Sequence, residues 1–324
     1  MFIEKGLNLT NKGILSFIVP KPLINNENYE GTRKLLIQRG LKDIIIGSGI
    51  FENADVESCI FISCKSHGYN VSEVNSKKQI VYKFTIPIYI MGQMPFYMIN
   101  TELSNKKLSV VREIQNAKTI KIENILDITR GIECGKNDGC IIDNRNNYKL
   151  LRGNDMNRYS IYFNSLYCNY NKNDIKKFKQ LDLYFGKKIL IRRVSNKLIA
   201  TVDNDNYLCL NTIYCAKLKK SDYKEEFICA IINSKLMRFW FTNMFVLTDK
   251  VFPYIRQSQL NFIPIPKILL SQQQPIIKLV DRILTEKHTN PLADILEQEK
   301  EIDRLVYALY GLTDDEIINT VEVE

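Results

Sequence analysis

Gly13-Ile-Leu-Ser-Phe-Ile-Val-Pro20 is a short, unbroken apolar run closed by a proline. Such a run fits a strand covered on both faces, as in a parallel sheet. A helical pattern follows around Tyr29, Arg33, Leu35, Leu36 and Ile37. Two more strands are expected at Leu41-Lys-Asp-Ile-Ile-Ile46 and Ser58-Cys-Ile-Phe-Ile-Ser63. Strand, helix, strand and strand in close succession predict part of an α/β sheet. It is only part, because a complete doubly wound domain needs more βα units.

Outward from that stretch the pattern changes. The middle of the chain holds short β-like runs between Asn, Asp, Gly and Lys turns, such as Lys188-Ile-Leu-Ile-Arg192, Leu198-Ile-Ala-Thr-Val202 and Asn211-Thr-Ile-Tyr-Cys215. One amphipathic helix is expected from about Lys224 to Thr242, with Phe227, Ile231, Ser234, Arg238 and Phe241 at helical spacing. Two prolines in Asn261-Phe-Ile-Pro-Ile-Pro266 fix φ and remove donors, which predicts a domain edge. The tail reads as helical, with Leu292, Ile295, Ile302, Leu305, Val306 and Leu309 on one stripe. Gly311 is placed as a helix stop, and Thr313-Asp-Asp-Glu316 as a capping box.

The chain has 324 residues, more than one hydrophobic core usually serves, so two domains or more are expected. Its net charge is +9, which favours polyanionic partners. The excess is uneven. Residues 126–266 hold 23 Lys+Arg against 13 Asp+Glu, whereas residues 267–324 hold 6 against 12. A basic middle and an acidic tail suggest different jobs. Eight cysteines occur, no two of them separated by two residues, and the two histidines, His67 and His288, lie far apart. Zinc hairpins and His-based triads are therefore poorly supported. The first residues lack the apolar run of a signal peptide, and runs such as Ile86-Pro-Ile-Tyr-Ile-Met-Gly92 are too short to span a bilayer. A cytoplasmic protein with reduced thiols and no membrane partner is the expectation.

Seven fragments appear in a telling order. They are Arg130-Gly-Ile-Glu-Cys-Gly-Lys-Asn137, Leu150-Leu-Arg-Gly-Asn-Asp155, Lys188-Ile-Leu-Ile-Arg-Arg193, Asn211-Thr-Ile-Tyr214, Ile231-Ile-Asn-Ser-Lys-Leu236, Ile263-Pro-Ile-Pro266 and Glu301-Ile-Asp-Arg-Leu-Val-Tyr-Ala-Leu-Tyr-Gly-Leu312. This ordered set resembles the TaqI-like C-terminal specificity domain. That domain is the target-recognition part of adenine-N6 DNA methyltransferases in restriction–modification systems, including the type IIG-like enzymes. The N-terminal part resembles only the later half of their methyltransferase domain, through residues 13–20, Arg33-Lys-Leu-Leu36 and Ile50-Phe-Glu-Asn-Ala-Asp-Val-Glu-Ser58.

The resemblance implies a partial Rossmann-like methyltransferase α/β sheet over 1–85. It implies an α+β DNA specificity domain over 86–266 and a helical tail over 267–324. In the family, a glycine-rich turn for S-adenosylmethionine and an Asn-Pro-Pro-Tyr motif for the target adenine lie upstream of this point. Neither occurs here, and Gly47-Ser-Gly49 lacks the third glycine of a dinucleotide turn. The chain alone is therefore expected to hold no cofactor and to be inactive. A separate polypeptide carrying the missing methyltransferase half would complete a split enzyme. A stand-alone DNA-binding specificity or regulatory protein is the alternative, and an inactive gene remnant a third.

Double-stranded DNA is the expected partner. Lys176, Lys177, Lys179, Lys187, Lys188, Arg192 and Arg193 crowd one span, interleaved with Phe178, Tyr184 and Phe185. Such cations neutralise phosphates, and Arg or Asn reads base edges. Arg130, Lys136, Asn137 and Arg152 sit in glycine-containing turns suited to backbone approach, and Lys235 follows Asn233-Ser234 on the expected helix. Helix packing is the favoured role for Asn233 and Ser234. Phe51 falls where the family stacks an aromatic ring on the extruded adenine, and an ordinary core phenylalanine is the equal alternative. The acidic tail residues Glu297, Glu299, Glu301 and Asp303 are expected on a solvated helix face.

Overall fold

A computed structural model describes residues 2–10, 13–47, 57–134, 139–142, 145, 147–170, 181–219, 222–245 and 254–323. Two compact units divide the chain. One is Met1–Leu108 with Thr242–Val246, and the other is Ser109–Phe241 with Leu247–Glu324.

The first unit opens with helix α1 (Phe2–Thr10), strand β1 (Leu15–Pro20) and the short helix α2 (Pro22–Asn25). Helix α3 (Glu30–Arg39) and strands β2 (Leu41–Gly47), β3 (Ser58–Ser63), β4 (Gly68–Val74) and β5 (Ile80–Pro87) follow, then helix α4 (Ile88–Gln93). The strands lie in the order β1-β3-β2-β4-β5. Antiparallel ladders join β1 to β3, β3 to β2 and β4 to β5, while β2 and β4 run parallel. The expected helix and three strands are present, but in a mixed sheet.

Strand β1 departs from its expected place inside a parallel sheet. It is an edge strand, and Ser16, Ile18 and Pro20 are exposed at alternate positions. Its two weakest hydrophobes, Ser16 and Pro20, share the open face, so alternation governs the run. Arg33 ties the unit together from α3. Its guanidinium donates to the carbonyls of Leu23 (2.8 Å), Asn26 (2.7 Å) and Phe96 (2.8 and 3.1 Å). Burial pulls its pKa down to about 10, yet the carbonyls satisfy its fork.

Helix α5 (Asn105–Asn116) carries the division between the units. The second unit then runs through β6 (Thr119–Lys121), β7 (Leu126–Arg130), β8 (Ile141–Ile142), β9 (Tyr148–Leu151), β10 (Met156–Asn157), β11 (Ser160–Ile161) and β12 (Tyr167–Cys168). Strands β13 (Lys188–Arg192), β14 (Ala200–Asp203), β15 (Leu208–Cys209) and β16 (Ile213–Leu218) come next. Two four-stranded sheets form, in the orders β14-β13-β16-β7 and β15-β9-β12-β8. Leu190 and Cys215 of the first meet Leu150, Leu151, Cys168 and Leu208 of the second in one buried cluster. The Cα atoms of Cys134 and Cys140 lie 6.4 Å apart, within the span of a disulfide, and the other six cysteines are unbridged.

The expected helix over 224–242 is broken in two, α6 (Glu225–Asn233) and α7 (Lys235–Met244). Ser234 is extended, and its Oγ accepts from the Met237 N–H at 3.1 Å, a cap on α7. Helix α8 (Gln257–Leu260) precedes β17 (Pro264–Pro266). Strand β17, which carries both prolines of the expected domain edge at 261–266, pairs antiparallel with β6. Both prolines fit this two-stranded ribbon, as an edge position tolerates a missing donor.

Helices α9 (Leu270–Thr289), α10 (Leu296–Tyr310) and α11 (Asp314–Glu316) form the tail and belong to the second unit. Gly311 follows α10 at φ +72°, and Thr313 and Glu316 form the capping box. Ile302 and Val306 are buried as the stripe requires, but Leu292 is exposed.

Asp303 is not on a solvated face; it is buried and accepts the Lys235 N–H at 2.8 Å. Burial pushes its pKa up to about 6, outweighing that hydrogen bond and the Lys235 charge. A folded pKa above the ordinary 3.8 means that the carboxylate costs stability above about pH 6. The cost fades as pH falls towards the ordinary value. Asp303→Asn should therefore raise stability by about 2–3 kcal/mol at about pH 7.5. The gap from the unsubstituted chain should close by about pH 4 in thermal melts. A gap that does not depend on pH would contradict this.

Candidate nucleic-acid interface

The sheet β14-β13-β16-β7 has one end that collects arginines. Arg192 closes β13 and faces Ile213, and Arg130 closes β7 and faces Tyr214. Arg193 follows at once, with its N–H donating to the Thr212 carbonyl at 2.8 Å and its Nη1 to the Asn211 carbonyl at 3.4 Å. The turn after β9 reaches the same place. Gly153 N–H donates to Thr212 Oγ1 at 2.9 Å, and Arg192 Nη2 donates to Asn154 Oδ1 at 2.6 Å. Arg152 sits at the start of that turn, its N–H held by Asp155 at 2.7 Å, with its side chain exposed.

Gly131 makes this convergence possible. A Cβ there would lie 2.3 Å from the Leu210 carbonyl and 2.4 Å from that of Cys209. Its N–H donates to the Ile213 carbonyl at 3.0 Å. The glycine thus serves close packing of two chain segments, where the sequence suggested room for a phosphate. Arg130 is partly exposed and pairs with Glu133.

A further segment joins the cluster. Tyr254 bridges Val194, and Ile255 N–H donates to the Arg193 carbonyl at 2.8 Å. Tyr214 Oη donates to the Ile255 carbonyl at 3.0 Å. The Tyr254 ring centroid lies 5.0 Å from Arg193 Cζ and 5.6 Å from Arg256 Cζ. Burial pushes the Tyr214 phenol pKa up, while the charges of Arg193 and Arg130 pull it back. Sequence reading missed Tyr254 and Arg256, although an aromatic and a basic residue two apart in Tyr254-Ile-Arg256 carried the signal.

Four of the anticipated DNA-contacting residues, Arg130, Arg152, Arg192 and Arg193, therefore converge. Three others do not join them. Lys188 is fully buried and paired with Asp203, which also accepts from the N–H groups of Tyr207 (3.1 Å) and Asp205 (2.7 Å). An ammonium so enclosed cannot meet a phosphate, and this corrects its expected role. The cause is position along β13. Residues 188–191 are buried, whereas Arg192 stands at the open end.

Lys187 is drawn to Glu226 at 2.5 Å and Glu225 at 3.7 Å of α6. Lys235 pairs with Glu322 beside α10. Tyr184 is buried in the core cluster and Phe185 packs against it, so neither is a free stacking platform. Asn233 bonds both main-chain groups of Ala200, at 2.8 and 2.9 Å, which is the packing role favoured from sequence. Phe51, Lys136, Asn137, Lys176, Lys177, Phe178 and Lys179 lie outside the described residues, as do Ser48 and Gly49. Among the described residues, no group of His, Cys, Asp and Glu is suited to holding a metal, and no helix is long and apolar enough to cross a membrane.

Residues 148–265 match the family model of the TaqI-like C-terminal specificity domain. Among solved structures, the chain is similar to the Type IIL restriction-modification enzyme MmeI in complex with DNA. The identity is 12% and the TM-score 0.59, over 99% of this chain and 50% of that one. The type IIG restriction endonuclease BpuSI matches at 13% identity and TM-score 0.42, over 92% of this chain and 47% of that one. The HsdS subunit from Thermoanaerobacter tengcongensis matches at 12% and 0.37, over 64% and 51%. The chain thus spans about half the length of these structures, and the MmeI match establishes likeness of fold. No curated protein matches the chain.

The buried Lys188 and the open arginines make separable predictions. Lys188→Met leaves Asp203 buried without its countercharge. It should lower unfolding free energy by about 3 kcal/mol in a denaturant titration. It should leave the salt dependence of duplex binding unchanged. A reduced salt slope with unaltered stability would return Lys188 to the interface.

Proposed function

We propose that this chain supplies DNA sequence recognition within an adenine-specific (N6) DNA methyltransferase of a restriction–modification system. The observation that carries the reading is the convergence of Arg130, Arg152, Arg192 and Arg193 at one end of one sheet. The match to the specificity-domain family over 148–265 supports it independently. Arginine is suited to both halves of the task. Its fork binds phosphate, and it reads the O6 and N7 of guanine with two parallel hydrogen bonds. Asn154, bonded to Arg192, holds that guanidinium in a fixed direction.

On this reading methyl transfer needs S-adenosylmethionine and an adenine-gripping motif from a methyltransferase half that this sequence does not contain. That half would lie on a partner polypeptide or on further sequence of the same one. Among the described residues, β1 is an edge strand without a charged residue, which supports such a neighbour because an uncharged edge invites strand pairing. Phe51 is the base-stacking candidate of the completed enzyme. The chain's own residues choose the sequence and hold the duplex.

Titration of the purified chain against a panel of short duplexes tests this reading. Binding should weaken linearly in log–log form as salt rises. Arg152→Ala and Arg192→Ala should each lower affinity roughly tenfold or more, and at least one should relax selection at a defined base pair. Salt-independent binding, or affinities of both variants equal to that of the unsubstituted chain, would overturn the reading.

A further inference from the structure

We propose that the second unit binds a free nucleoside with an amino-substituted base, such as adenosine, in a cavity at the outer edge of β14. The cavity has a volume of about 510 Å³ and is walled by β14, the β10–β11 hairpin and the C-terminal end of α9. Small-molecule sites span roughly 300–1,000 Å³, so a nucleoside is within its capacity. The proposal does not rest on the DNA-recognition reading.

The β14 wall is a strand edge whose direction follows from register. Arg192 N–H donates to the Ile199 carbonyl at 2.9 Å, and Leu190 and Lys188 face Thr201 and Asp203. Antiparallel pairs alternate, so Ala200 and Val202 turn their main-chain groups away from β13. Ala200 bears this out. Its N–H donates to Asn233 Oδ1 at 2.8 Å, and its carbonyl accepts from Tyr159 N–H at 3.1 Å. Val202, two residues on, lines the cavity, and its outward N–H and carbonyl meet no such partner among the described residues. A neighbouring donor and acceptor of this kind match a ring nitrogen beside an exocyclic amino group.

A second, independent group points to a ligand. Thr201 also lines the cavity, is 1% exposed, and its Oγ1 has no hydrogen-bond partner among the described residues. An unmatched buried hydroxyl costs stability, which favours a ligand that supplies its partner.

The remaining walls narrow the ligand class. Phe163 and Tyr207 both line the cavity, with ring centroids 5.4 Å apart, and such rings suit a flat heteroaromatic base. Exposed Asp205 and the carbonyl end of α9 favour donors over anions. Lys287 is engaged by the carbonyls of Pro291 and Ala293, at 3.1 and 2.7 Å. A nucleoside therefore suits the cavity better than a nucleotide, and an amino base better than an oxo base. Register sets Val202 and Asp203 towards the Lys188 end of the sheet, away from the end that gathers arginines.

Calorimetric titration of the full chain with adenosine, in the absence of DNA, tests the site. Saturable one-to-one binding at millimolar concentration or below is expected. Thr201→Val keeps the shape and removes the hydroxyl. It should weaken adenosine binding about tenfold, with a thermal midpoint equal to or above that of the unsubstituted chain. Leu284→Trp, on the α9 wall, should block binding. N6,N6-dimethyladenosine lacks the amino donor and should bind about tenfold more weakly or worse. Both variants should keep the salt-dependent duplex binding of the unsubstituted chain.

No saturable adenosine binding by the folded chain overturns the proposal, as does binding that neither variant weakens. Equal affinity for the dimethylated nucleoside overturns the strand-edge contact. Binding of an adenine-containing oligonucleotide but not of free adenosine would make the cavity a nucleic-acid contact, and also overturns the proposal. Adenosine binding in a chain that shows no salt-dependent duplex binding supports this site and sinks the recognition reading alone.

Discussion

Strand β13 is buried along its length and opens only at its C-terminal end. Its first four residues, Lys188 to Ile191, are buried, with Ile189 and Ile191 alternating with Lys188 and Leu190. Burial of this kind favours apolar side chains and makes a cation costly unless it is paired. Lys188 meets that condition through Asp203. Arg192 escapes it, because it stands where the strand leaves the cover. The same covalent run of basic residues therefore divides into an internal ion pair and an external contact surface.

The open end of the sheet is assembled by main-chain stitching. Four further segments meet the end of β13 there: the end of β7, the turn after β9, the approach to β16, and residues 254–257. Each brings one arginine or supports one, and each is fixed by hydrogen bonds to a neighbour's backbone. Gly131 shows what the arrangement demands, since any side chain there would collide with the Leu210 carbonyl. A surface fixed in this way loses little entropy on meeting a rigid polyanion. That is the physical link between the sheet and the proposed recognition of a duplex.

Much of this was legible in the sequence wherever local rules decide the outcome. Helix α3, strands β2 and β3, the stop at Gly311 and the capping box at Thr313 all follow from periodicity and capping chemistry. Arg130, Arg152, Arg192 and Arg193 were found because their motifs retain the order of a known domain. The failures share a cause, which is dependence on distant partners. Nothing near β1 in sequence reveals that it sits on an edge. Lys188 looks like Lys187 until Asp203 is brought beside it. Ser234 reads as mid-helix because its spacing is helical, yet its hydroxyl caps the next helix. Arg256 joins the cluster only through a bridge to Val194, far back along the chain.

The central claim is that one rigid end of one sheet meets DNA. Amide hydrogen exchange across the whole chain, measured with and without a bound duplex, tests it most directly. The account predicts added protection around residues 128–132, 152–154, 192–194, 210–214 and 254–257, with α6 and α10 unchanged. Protection centred on Lys187, Lys235 and the acidic helices, with the arginine end left as it was, would contradict it.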